Sequence, residues 1–160
     1  MAIAESQVPF SIVDISGKGE GMVATDKLVA GTILLTEKPL IVVDTDTAAA
    51  VSQVLPHFHA LSDDKKTVVL SLYDPGEQQN PKYSLLTDKE IERKVFRIFE
   101  ANSIALCSHK EMNINKSGLY QTISKINHSC SPNVVWTWIK KDSSKSIKQV
   151  ILSCCIIIYS

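Results

Sequence analysis

Apolar and polar positions along this chain follow two different periods, and the change of period divides it into three blocks. From residue 10 to 44 the pattern is that of strands. Phe10-Ser11-Ile12-Val13-Asp14-Ile15 predicts a short strand, Gly17-Lys18-Gly19-Glu20-Gly21 a glycine-rich turn, and Met22-Val23-Ala24-Thr25 a second strand. Ala30-Gly31 is a further turn, and Thr32-Ile33-Leu34-Leu35-Thr36-Glu37 a third strand. Pro39 ends or edges it, because proline cannot donate to a ladder; Leu40-Ile41-Val42-Val43 extends beyond.

The middle block is helical. Ser62-Asp63-Asp64 supplies an N-cap and an acidic first turn for a helix running to about Tyr73, which Asp74-Pro75-Gly76 stops. The sharpest signal is Thr87-Asp88-Lys89-Glu90, where threonine with glutamate three residues later makes a capping box. Ile91, Val95, Ile98, Phe99 and Asn102 then share one helical face, so a helix is expected from about 88 to 101. From residue 118 the pattern returns to strand and loop. Val134-Val135-Trp136-Thr137-Trp138-Ile139 is β-rich, residues 140–145 read as an exposed hairpin turn, and residues 147–158 as a further strand with an abrupt end. Blocks of strand, helix and strand favour an α+β fold of several small antiparallel sheets over a wound parallel sheet.

Composition narrows the function classes. A chain of 160 residues with 44% apolar content fits one domain with a real core. Lysine plus arginine and aspartate plus glutamate stand at 17 each, and zero net charge argues against direct nucleic-acid binding. It leaves a basic peptide open as a partner. The start, MAIAESQVPF, has no basic region followed by an apolar core, and no run approaches the roughly 18 apolar residues of a membrane span. No membrane partner is expected, and the sequons at Asn115 and Asn127 read as chance matches. Cys107, Cys130, Cys154 and Cys155 show no disulfide spacing, so reduced thiols in a cytoplasmic or nuclear setting are the expectation.

Two segments carry candidate chemistry. Glycines in residues 17–21 let backbone approach a ligand or adopt positive φ, and Lys18 could pair with a carboxylate; a tight β-turn accounts for the same residues. The polar run Asn127-His128-Ser129-Cys130-Ser131-Pro132-Asn133 sits between apolar stretches, where polar groups must find partners. A turn held by Asn and Ser side chains and a binding loop both fit it. Cys107-x-His109 with His128-x-Cys130 could make a four-ligand metal set, but zinc pairs ordinarily leave two to four residues between ligands, not one. His57-Phe58-His59 is a weaker metal hint, and a loop flanking a helix is its ordinary reading. Trp136 and Trp138 fall on one face of a strand; core packing or sheet stacking is the ordinary reading, a substrate surface the alternative.

The 127–133 segment resembles the NHSCxPN signature of SET domains. Residues 118–126, Gly-Leu-Tyr-Gln-Thr-Ile-Ser-Lys-Ile, resemble the segment that precedes the signature in the SMYD-like branch, as do Asn102-Ser103, the turn 17–21, Ala30-Gly31 and Glu37-Lys38-Pro39-Leu40, all in family order. The resemblance implies a β-clip-like SET domain over 10–150: an N-terminal β part (10–44), a helical insert (45–117) and the signature part (118–150). Residues 1–9 would be a tail and 151–160 an atypical apolar end. It implies a protein-lysine N-methyltransferase using S-adenosylmethionine on a histone or non-histone protein. Lys18, Gly19 and Glu20 would line the cofactor's amino-acid end, with Asn102 close by. Asn127 and His128 would hold the cofactor, His128 largely through its backbone. Ser124 and Ile126 would shape the lysine channel.

The chain also departs from that family pattern. Residues 41–86 hold no cysteine, so the MYND zinc insert is absent, and neither a GEE turn nor a cysteine-rich post-SET segment follows the signature. Cys130 is then an orphaned zinc ligand, and no zinc is expected. The fold is expected to be incomplete at its C-terminal end, the chain truncated and lysine methylation little or none, with Tyr159 the sole candidate for the catalytic tyrosine. A catalytically inactive SET-like module that binds a protein or the cofactor is the alternative reading.

Overall fold

The computed structural model describes residues 9–44, 48–76, 87–106, 116–140 and 147–154. They form small antiparallel sheets and three α-helices, divided between two compact units: Lys38–Ser124, and the described residues before and after it.

In the flanking unit, β1 (Phe10–Ile15) and β2 (Gly19–Ala24) form a hairpin in which Ile15 faces Gly19 and Asp14 faces Glu20. The turn between them is shorter than the glycine pattern suggests. Gly17 and Gly19 take φ of 74° and 67°, and the Lys18 amide donates to the Ile15 carbonyl at 2.8 Å. Positive φ at both glycines closes the loop tightly, so pairing begins at Gly19 rather than Met22. A second sheet has the order β3 (Ile33–Glu37), β8 (Ile147–Cys154), β7 (Val134–Lys140), all antiparallel. Leu28 and Leu34 form this unit's small core, with Phe10, Met22, Ile126 and Val134 packed against them. Trp136, 45% exposed, lies outside it, against the ordinary expectation of core packing. Its neighbour Val135 is 46% exposed, so both faces of β7 are open at this point.

The unit Lys38–Ser124 holds the larger core. β4 (Ile41–Asp44), β6 (Lys116–Leu119) and β5 (Ile104–Ala105) make a sheet with β6 in the centre. The strand expected at residues 40–43 is therefore Ile41–Asp44, in a different sheet from residues 33–37. α1 (Ala48–His59), α2 (Asp63–Leu70) and α3 (Asp88–Asn102) pack beside it. α3 follows its periodicity: Val95 and Ile98 are fully buried and Phe99 nearly so, together with Ile41, Val43, Val54, Phe58 and Val69. At its start the Glu90 carboxylate accepts the Thr87 amide at 2.8 Å and the Thr87 hydroxyl at 2.7 Å, which holds the Glu90 carboxyl below its usual range. This satisfies an amide at the helix start that would otherwise lack a partner.

Two details differ from the expectation. The helix at Asp63 ends at Leu70, and Asp74 is a buried anchor rather than a stop signal: it takes Arg97 Nε on Oδ1 and Nη2 on Oδ2, each at 2.7 Å, and the Gly76 amide at 2.9 Å. His57 and His59 lie in the last turn of α1, not in a loop, despite Pro56 inside that helix. His57 Nδ1 donates to the Gln53 carbonyl at 2.7 Å, and residues two apart on a helix do not face one another. The pair does not form a metal site.

Candidate cofactor site

The site is built in the flanking unit, where the β1–β2 hairpin meets the signature segment. Asn127 is half-buried, not fully buried, and its Nδ2 donates to the Glu20 carbonyl at 3.2 Å. Gly21 makes this approach possible: a Cβ there would collide with Asn127 Nδ2 and with the Ile15 side chain. Its φ is not positive, so glycine is required at position 21 for close approach, whereas Gly17 and Gly19 are required for conformation.

The Glu20 carboxylate is occupied. Lys125 Nζ donates to Oε2 at 2.6 Å, with Lys125 24% and Glu20 55% exposed at the side chain. Lys18 is exposed on the turn, and a Cβ at Gly17 or Gly19 would meet nothing within 4 Å. An accessible ammonium, an uncluttered backbone with positive-φ glycines and a side-chain amide thus lie along one short stretch of surface. This donor set suits a small carboxylate.

The side chains of the remaining candidates make contacts of their own. His128 is exposed and its Nε2 lies 3.4 Å from Cys130 Sγ, so the imidazole is turned within its own loop. Ser129 Oγ accepts the Ser131 amide at 3.2 Å, a local Ser-stabilised turn. Ile126 packs on Leu28 and Leu34. Asn102 and Ser124 belong to the other unit. Asn102 Nδ2 donates to the Tyr73 and Ile98 carbonyls, each at 2.7 Å. Ser124, in the 3-10 turn Ile123–Lys125, accepts the Tyr120 amide at 3.0 Å and donates to the Asn102 carbonyl at 2.9 Å. Both side chains therefore secure the end of α3. Tyr159, Cys107 and His109 lie outside the described residues. Among the described residues, no three His, Cys, Asp or Glu side chains are placed to hold a metal ion, and no helix is long and apolar enough to cross a membrane.

Two residues were missed at the sequence level. By its sequence Gly21 is one more glycine of the turn, whereas its requirement comes from the close approach of Asn127 and Ile15. Lys125 carries no local signal, since its partner Glu20 lies 105 positions away.

The family model of the SET domain matches residues 19–154, most of the chain, including the hairpin's second strand and the whole signature segment. The chain belongs to the SET domain family. No curated protein matches it. SET domains occur in lysine methyltransferases, which generally use S-adenosylmethionine and act on a protein substrate. In this SET domain the β1–β2 hairpin and the signature segment meet at Glu20 and Asn127.

Proposed function

We propose that this SET domain is a protein-lysine N-methyltransferase of the SMYD-like branch, without the MYND insert, acting on a cytoplasmic or nuclear protein. The observation that carries the reading is the hydrogen bond from Asn127 to the Glu20 carbonyl, which joins the signature segment to the glycine turn. When bound, S-adenosylmethionine supplies an electrophilic methyl group on a sulfonium. The chain's own part is to bind and orient. Lys18 meets the carboxylate of the cofactor's amino-acid end, and the backbone at Gly19 allows close approach. Asn127 fixes the turn to the loop, and the backbone near His128 closes the cradle. Orientation matters because transfer to a lysine nitrogen is an in-line displacement, for which held geometry supplies much of the rate. The incoming lysine must be neutral, a state that a dry channel favours.

Labelled methyl transfer from S-adenosylmethionine to histone and cytosolic protein mixtures tests this. Label on lysine, however slow its appearance, is the expected result, lost when target lysines are chemically acetylated beforehand. No transfer, together with no cofactor binding, would overturn the proposal.

A further inference from the structure

Glu20 is gripped twice from one short segment. Lys125 takes its carboxylate at 2.6 Å, and two residues further on Asn127 takes its backbone carbonyl at 3.2 Å. We propose that Lys125 is a positioning residue of the cofactor site: its ammonium holds Glu20 and thereby sets the glycine turn against the signature segment. The inference rests on the cofactor reading above and assigns Glu20 a new role in it, as the handle by which the turn is held rather than as a ligand.

Three observations converge. First, nothing packs over the turn at Gly17 or Gly19, where an added Cβ would meet nothing within 4 Å. It is anchored by the β1–β2 ladder on one side and by the contacts to Lys125 and Asn127 on the other. Second, an unpartnered Glu20 two residues from Lys18 would repel a carboxylate brought to that lysine; pairing with Lys125 offsets the repulsion. Third, a partly exposed ion pair contributes little to global stability. A 2.6 Å contact between two such distant positions is therefore better suited to fixing local geometry than to holding the fold together.

The test uses the full chain and two readouts. Amide hydrogen exchange over residues 15–21 is followed without ligand, and S-adenosylmethionine affinity is measured by calorimetry. Lys125→Met should speed exchange in the turn and weaken affinity, each by roughly twofold to fivefold, the range of such an ion pair, with the urea midpoint nearly unchanged. Lys125→Arg should restore both readouts. So should the swapped pair Glu20→Lys with Lys125→Glu, which keeps both charges and serves as the second variant if Lys125→Met does not fold. The affinity difference should shrink between about 0.05 and 0.5 M salt, as an ion pair requires and a packing defect does not. Unchanged exchange in Lys125→Met, or no recovery in the swapped pair, would overturn the role of Lys125. Faster exchange in a chain whose wild type does not bind S-adenosylmethionine would instead overturn the cofactor reading, leaving the ion pair as a clip on the turn.

Discussion

The side-chain amide of Asn127 donates to the backbone carbonyl of Glu20, 107 positions earlier in the chain. One hydrogen bond thus joins the glycine turn to the signature segment, and it lies beside Gly21, where no side chain fits.

Gly21→Ala should therefore be destabilising although its φ is ordinary. The added methyl would displace Asn127 Nδ2 and Ile15, a crowding that costs roughly 1–3 kcal/mol. A urea unfolding curve checks the cost. Gly17→Ala, which meets no neighbour but sits at φ 74°, should cost about 1 kcal/mol through backbone strain alone. The two variants separate close approach from conformation.

Asp74 gives a pH prediction. The two hydrogen bonds from Arg97 hold its carboxyl below the ordinary 3.8, outweighing the opposite effect of burial. The unfolded chain therefore takes up this proton at higher pH than the folded one. The contribution of Asp74 is complete above about pH 4 and is lost as pH falls through the lower folded value. Asp74→Asn should cost about 2 kcal/mol at neutral pH and flatten the acid limb of stability, seen in urea midpoints between about pH 6 and pH 2.5.

Ile98 is fully buried between the sheet and helices of the unit Lys38–Ser124. Ile98→Ala should cost roughly 2–5 kcal/mol by thermal or urea unfolding, while an exposed position on the same helix such as Glu100→Ala should change little.

What was legible in the sequence was local. The capping box at Thr87 and the apolar face of α3 are spaced within one helix, and both are present in the structure. The short β blocks around residues 10–37 also showed through, because alternation and glycines mark them. α1 is hard to read from the sequence: Pro56 interrupts its pattern, and Val54 and Phe58 are its buried side chains among the described ones. Asp74 looked like a helix stop because Asp-Pro-Gly is a turn sequence, and nothing nearby announces Arg97, 23 positions on. The same limit hid the pairing of Glu20 with Lys125. The signature segment was recognisable by resemblance, whereas its residues alone fitted a turn equally well.

The most direct measurement is a calorimetric titration of S-adenosylmethionine into the wild type, Asn127→Ala and Lys18→Ala. The wild type should bind. Asn127→Ala should bind about tenfold or more weakly, because it removes the half-buried amide that ties the signature segment to the Glu20 carbonyl and frees the glycine turn from that segment. Lys18→Ala should lose no more than about fivefold, as befits an exposed, screened charge. A wild type that does not bind, or an Asn127→Ala variant that binds as tightly as the wild type, would contradict the account.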